Sequence, residues 1–298
     1  MIEKKRRAAR ARPLVRWHGG KFVLAPQIIS YFPPHLVYVE PYGGGGSVLI
    51  RKPKSAVEIY NDLDSEIVNV FRVLLERKTA AELIRRVELT PYSEEFFDDA
   101  YRPSKDPVER AWALVVRSFM GHGADGAMMN YKTGFRGKAR KGEAVPAQEW
   151  ANYPVALREI VARIQSGVMV RNMDALELMR REDAVQTLFY VDPPYLPATR
   201  SAGNRRKGAG YHVYNHELTT EQHVELLEFL QGLVGMVVLS GYPSELYDQA
   251  LSSWRRVEIE AYADGGRPRL EILWLNPRAA ATLDAHKRVH GPLFAIPA

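Results

Sequence analysis

The tetrapeptide Asp192-Pro193-Pro194-Tyr195 ends the apolar run "LFYV". Proline has no N–H to give to a sheet, so the pair stops the strand and leaves an acid and an aromatic ring at its mouth. Those residue types suit an exocyclic amine on an aromatic base. The carboxylate accepts one N–H, and the rigid Pro-Pro backbone offers a carbonyl with no competing donor. The tyrosine ring offers a face on which a base taken out of a duplex stacks. Such an amine is a weak nucleophile because its lone pair is delocalised into the ring. Two acceptors holding its hydrogens favour a more tetrahedral nitrogen, able to attack an electrophilic methyl group in line with a leaving sulfur. Orientation and electrostatics carry a reaction of this kind without a metal.

A second constellation lies upstream. "VEPYGGGGS" places four glycines directly after a strand-like run, where backbone must approach a ligand closely. The spacing is not a clean G-x-G-x-x-G, which weakens a nicotinamide assignment and leaves a flexible turn as the plain alternative. Asp62 follows roughly 20 residues later at the end of the next apolar run, a position suited to ribose hydroxyls and equally to a helix N-terminus. "RWHGGK" (16–21) precedes both and allows a tight bend between an aromatic plane and an ammonium. The eight histidines show no metal-ligand spacing, and no metal is expected. Trp112, Phe119, Trp150 and Trp274 read as core aromatics.

These residues need strands ending side by side. "LVYVE" (36–40) and "AVEIYNDLD" (56–64) read as buried strands. "VLIRK" opens a helix between them, and "SEIVNVFRVLLERK" follows with apolar residues at helical spacing and Ser65 as N-cap. This order begins a parallel, doubly wound α/β sheet. From 76 to about 165 the pattern turns helical, around the glycine-rich basic loop "GHGADGAMMNYKTGFRGKARKG". Strands return at "GVMVRNMD" and "TLFYVDPPY". The helix "TTEQHVELLEFLQGLV", the strand "GMVVLSGY", the helix "SELYDQAL" and two antiparallel strands joined by "DGGRP" close the chain. The α/β core is therefore expected to be split by an insertion: a basic arm at 1–13, a catalytic domain at 14–75 and 166–298, and a helical lobe at 76–165.

The chain has 298 residues, a net charge of +6 and no cysteine, so disulfides, thiolate zinc sites and a Cys nucleophile are excluded and a reducing cytoplasm fits. No apolar run approaches the roughly 20 residues needed to cross a bilayer. "KKRRAARAR" holds six basic residues between Lys4 and Arg12. Lys132, Arg136, Lys138, Arg140 and Lys141 form a second cluster, and Arg200, Arg205, Arg206 and Lys207 a third. Clusters set among glycines and aromatics point to phosphate contacts, although any one of them also reads as a solvated loop.

In its motifs and their order the chain resembles the Dam-like (D12 class) DNA adenine-N6 methyltransferases: "RWHGGK", "VEPYGGGGS", "YNDLDSE", an inserted lobe, then "DPPY" and a closing "LEILWLN". The match spans most of residues 14–276. The resemblance implies a Rossmann-like sheet with an inserted, mostly helical target-recognition lobe, and S-adenosylmethionine (AdoMet) as methyl donor. It implies that Trp17 and Lys21 cover and pair with the cofactor, and that Glu40, Pro41, Tyr42, Gly44 and Gly46 form its loop, with Gly43 and Gly45 at variable positions. Asp62 would take the ribose and Asp174 the adenine of the cofactor. Asp192, Pro193, Pro194 and Tyr195 would hold the target base, with Asp192 also against the methionine amino group. Asn130, Lys132, Arg136 and Lys138 are candidates for reading double-stranded DNA, and Arg205, Arg206 and Lys207 for phosphates. A solitary monomer or a partner of a cognate restriction endonuclease, bacterial or phage-encoded, both fit. Three rivals stay open: methylation of cytosine N4, RNA or a protein amide; a nicotinamide-dependent oxidoreductase; and a DNA-binding module that has kept the fold alone.

Overall fold

A computed structural model of the chain describes residues 12–123, 132–138, 145–196, 217–262 and 268–290. The described residues divide into two compact units: residues up to Phe22 with Glu66–Ser166, and Val23–Ser65 with Gly167 onward. The cuts fall after Phe22, after Ser65 at the first residue of a helix, and after Ser166.

The second unit is built on a sheet with the strands β1 (Val37–Glu40), β2 (Val57–Asn61), β3 (Val168–Arg171), β4 (Thr187–Val191), β5 (Met236–Gly241), β6 (Arg255–Tyr262) and β7 (Pro268–Leu275). Its order is β3-β2-β1-β4-β5-β7-β6. β1 to β5 are parallel, while β7 runs antiparallel to both β5 and β6. β4 and β5 are buried along their whole length, as unbroken apolar runs covered on both faces must be. Phe189, Val191, Val237, Leu239, Ile272 and Trp274 centre this core. α1 (Ala25–Ile29) and α2 (Ser47–Arg51) flank β1 in sequence. Asn276 locks the end of β7 to β5: its Oδ1 accepts from Val237 N and Ala279 N, and its Nδ2 donates to Gly235 O.

The first unit holds most of α3 (Ser65–Leu75), with α4 (Arg77–Leu89), α5 (Glu94–Asp99), α6 (Pro107–Met120) and α7 (Pro146–Ile164). α3 belongs here because polar ties bind it to the other helices. Arg110 pairs with Glu66 at 2.5 Å, Asn69 Nδ2 donates to Pro107 O, and Gln165 Nε2 donates to Leu74 O. The N-terminal segment joins the same unit through Tyr153 Oη, which donates to Leu14 O at 2.5 Å, and through Arg16 N on Ser118 Oγ. Phe119, Trp150 and Tyr153 form its aromatic centre, with Trp150 and Tyr153 stacked.

The short α1 and α5 and two longer helices, α8 (Ala175–Glu182) and α11 (Pro277–His290), were not anticipated from the sequence. α9 (Thr220–Gln231) starts on a capping box in which Thr219 and Gln222 serve each other's backbone N–H, and α10 (Glu245–Ala250) follows β5. Among the described residues no helix is long and apolar enough to cross a membrane.

Candidate active site

In an open parallel sheet, ligands settle outside the carboxyl ends of the strands where strand order reverses. Here the reversal lies between β1 and β4. Val39 pairs with Phe189 in register, so Glu40 at the end of β1 and Asp192 just beyond β4 emerge on the same edge of neighbouring strands.

The glycine loop is folded onto the end of β2. Gly43 N donates to Asn61 O at 2.7 Å, and Gly46 N donates to Gly43 O at 2.8 Å to close a turn. Gly44 and Gly46 have φ of 47° and 62°, backbone that side-chain-bearing residues adopt at a cost. Gly43 is constrained differently. A Cβ there would lie 2.2 Å from the Tyr60 ring and 2.8 Å from Asn61 O. Gly43 is therefore not free to vary, although the family pattern allows variation at its position.

Tyr60 and Asn61 organise this edge, and neither was singled out from the sequence. Tyr60 Oη donates to Gly44 O at 2.7 Å. Asn61 Nδ2 donates to Pro41 O at 2.8 Å and to Met173 O at 3.0 Å, while its Oδ1 accepts from Met173 N. One amide thus ties the loops after β1 and β3 to the end of β2. The signal was a buried asparagine at the end of an apolar strand, where only a fully bonded side chain is tolerated.

Asp62 is partly buried, and its carboxylate braces the loop: Oδ2 accepts from Gly44 N at 2.7 Å and Oδ1 from Asp64 N at 2.8 Å. Asp174 is exposed and caps α8, accepting from Glu177 N at 2.9 Å. Both acids lie at carboxyl ends of strands, and both serve the local backbone.

Glu40 is buried, and its Oε1 accepts from Tyr38 Oη at 2.6 Å. Burial raises its pKa to about 8, against the opposing pull of the Tyr38 hydroxyl, the Leu49 N–H and the Lys52 ammonium; the negative charge of Asp192 adds to the rise. Glu40 therefore carries a proton at neutral pH. Tyr42 is also pushed up, by burial first and then by Asp174, Asp62 and Glu225.

After β4, Asp192 is partly buried and Pro193 buried. Tyr195 is only 8% exposed. Its ring lies 4.2 Å from that of Tyr242, centroid to centroid, and its hydroxyl donates to Glu271 on β7 at 3.1 Å. Ser240 on β5 donates to the same Glu271 oxygen at 2.6 Å. Ser240, Tyr242 and Glu271 escaped the sequence analysis, yet a glutamate inside "LEILWL" is the same kind of signal as Asn61. Buried Tyr190 has its hydroxyl titration shifted strongly upward, first by burial and then by Asp192, Glu271 and Glu40, which places three acids around it.

The remaining candidates belong to the helical unit or fall outside the described residues. In the helical unit, "RWHGGK" forms the expected bend: Gly20 N donates to Trp17 O, and the buried Lys21 ammonium donates to Gly19 O at 3.0 Å. Residues 120–122 and 134–136 pair as an antiparallel bridge, with His122 N on Gly134 O and Arg136 N on Met120 O. Arg136 is mostly buried and paired with Glu149, which also holds Arg12. Lys132 pairs with Asp98 at 2.5 Å. Lys138 is exposed. Asn130, Arg205, Arg206 and Lys207 lie outside the described residues.

The five parallel strands, the reversed β7 inserted before β6 and the glycine and DPPY loops on one edge are those of a Rossmann-like methyltransferase. Residues 17–263 match the family model described as D12 class N6 adenine-specific DNA methyltransferase, and the chain belongs to that family. It is similar to a DNA adenine methylase of Escherichia coli (strain K12), 27% identical over 233 residues that cover 75% of this chain and 77% of the relative. It is also similar to the Type II methyltransferase M1.LlaDCHI of Lactococcus lactis subsp. cremoris, 24% identical over 276 residues that cover 86% and 89%. The protein is accordingly an enzyme that methylates adenine N6 in DNA, and the oxidoreductase and cytosine alternatives fall away.

Proposed function

We propose that the methyl donor is AdoMet, held on the β1–β2 edge, and that the target adenine is presented at the DPPY loop out of its duplex. The observation that carries this is the adjacency of Glu40 and Asp192 at the sheet's switch point, with a glycine loop braced against Tyr60, Asn61 and Asp62. An edge lined by acids fits a ligand that bears a sulfonium, an ammonium and ribose hydroxyls. Glu40, Pro41, Tyr42, Gly44 and Gly46 would seat the donor, with Asp62 toward the ribose and Asp174 toward the adenine. Assignment of Trp17 and Lys21 to the donor rests on the family's motif order. AdoMet supplies, when bound, a methyl group made electrophilic by its sulfonium.

The chain's own groups act on the other reactant. The Asp192 carboxylate and the carbonyl of the Pro193-Pro194 segment accept the two amine hydrogens, which raises the nitrogen's basicity and aims its lone pair. The same carboxylate stabilises the positive charge that grows on nitrogen during transfer. The Tyr195 ring bears on the base. The sheet unit is the catalytic domain and the helical unit the target-recognition domain. Lys138 and the basic residues outside the described segments would neutralise phosphates. The enzyme acts as a monomer on double-stranded DNA in a cytoplasm, alone or beside a cognate restriction endonuclease.

The test is incubation of the purified protein with methyl-labelled AdoMet and unmethylated DNA, followed by nucleoside analysis and single-molecule sequencing. N6-methyladenine in one sequence context is expected. Label transfer that is indifferent to sequence, or greater on single strands, would overturn the site-specific duplex reading. A 2-aminopurine at the target position should brighten on binding, and an unchanged signal would overturn extrusion of the base.

A further inference from the structure

We propose that Glu271 is a positioning residue of this reaction: through the Tyr195 hydroxyl it fixes the ring of the DPPY tyrosine relative to Asp192. The proposal rests on the reading that Tyr195 bears on the target base.

Tyr195 sits beyond the end of β4, in a segment with no ladder hydrogen bonds of its own. Two prolines stiffen the approach to it, but a tyrosine still rotates about its first side-chain bond unless something holds its far end. Glu271 provides that hold. It is 3% exposed and rooted in β7, where Ile272 pairs with Gly241 and Leu273 with Ser240 of β5. Its Oε1 accepts from Tyr195 Oη at 3.1 Å and from Ser240 Oγ at 2.6 Å, and Oε2 lies 3.4 Å from the same tyrosine hydroxyl. Ser240 thereby fixes the carboxylate, and the carboxylate fixes the tyrosine. Tyr242, whose ring lies 4.2 Å away, limits sideways motion of the Tyr195 ring. A carboxylate inside an otherwise apolar strand is costly without such bonds, and a purely structural β7 would carry an aliphatic residue there.

The test is a double-mutant cycle read in kcat and KM with methyl-labelled AdoMet and DNA. Glu271→Leu keeps bulk and removes the acceptor; Tyr195→Phe keeps the ring and removes the donor. Each should lower kcat roughly tenfold with KM for the donor unchanged, a coupling of about 1.4 kcal/mol. The double variant should be no slower than the worse single variant. Glu271→Gln, which retains one acceptor oxygen, should restore most of the rate. Multiplicative losses in the double variant, or full kcat in either single variant, would overturn the tether. Should Glu271→Leu fail to fold, Tyr195→Phe with full kcat overturns it alone, and Tyr195→Phe with the expected loss in kcat and an unchanged KM for the donor supports it. Tyr195→Ala separates the two layers: full activity there would defeat the role of the ring itself, whereas a loss there beside an indifferent Tyr195→Phe would defeat only the tether.

Discussion

Glu40→Gln should flatten the acid-to-neutral stability profile of this protein. In the folded chain the Glu40 carboxyl titrates at about 8, and its ordinary value is 4.5. Between those two values the folded state holds a proton that the unfolded state has released. Stability from this group is therefore fully present below the lower value and is lost as pH rises through the higher one, at about 1.4 kcal/mol per pH unit. From about pH 5.5 to about pH 7.5 the wild type should lose roughly 3 kcal/mol that the variant keeps. Glutamine mimics the protonated acid and retains an oxygen for the Tyr38 hydroxyl, so packing is preserved while titration is removed. For a protein of this size the difference amounts to about 4–5 °C in melting temperature. Thermal unfolding of both proteins across that range measures it, and other titrating groups cancel in the comparison. Parallel curves would refute the argument.

The same residue predicts proton release on ligation. A cation placed beside Glu40 lowers its pKa, so donor binding near neutral pH should expel up to about one proton. Calorimetric titration with AdoMet in two buffers of different ionisation heat detects this, and Glu40→Gln should abolish it. Equal heats for the wild type would separate Glu40 from the donor's charge.

Gly43→Ala forces a Cβ into the Tyr60 ring and should destabilise the protein by about 1–3 kcal/mol and weaken AdoMet binding, both readable by thermal shift. Asp192→Asn should lower methyl transfer by a factor on the order of 10²–10³ while leaving the melting temperature near wild type. Asp174→Ala should cost about 1 kcal/mol as a lost helix cap, and Asp174→Ser should restore that stability; donor affinity that stays low in the serine variant would identify a direct contact. Lys138→Gln should reduce the salt slope of DNA binding by about one, whereas Arg136→Gln should mainly lower stability, because its guanidinium is committed to Glu149.

The strands, several of the long helices and the glycine and DPPY loops were legible because each is written locally. An unbroken apolar run, a proline pair or four glycines in a row has few ways to fold. What escaped was written across the chain. Nothing near Asn61 in sequence announces that its amide will tie Pro41 to Met173, and nothing near Glu271 names Tyr195 as its donor. The placement of α3 was equally illegible, since it follows from ties to Pro107, Arg110 and Gln165 far along the chain. Arg136 shows the converse: its setting in a basic, glycine-rich loop suggested DNA, and only the fold supplies Glu149 as its partner.

The two acids that sequence assigned to the donor by position, Asp62 and Asp174, already serve backbone N–H groups. That service does not compete with ligand binding, because a carboxylate has about four acceptor sites and each bond described uses one. It holds the oxygens still, so that little orientational freedom remains to be lost when a ribose or an adenine arrives. Buried Glu40 poses a different problem: it keeps its proton chiefly because it is buried, and the negative charge of Asp192 adds to that. A fixed positive charge from a ligand beside Glu40 would favour its ionised form and release that proton. A cationic donor would then be held more firmly than the neutral thioether left after transfer.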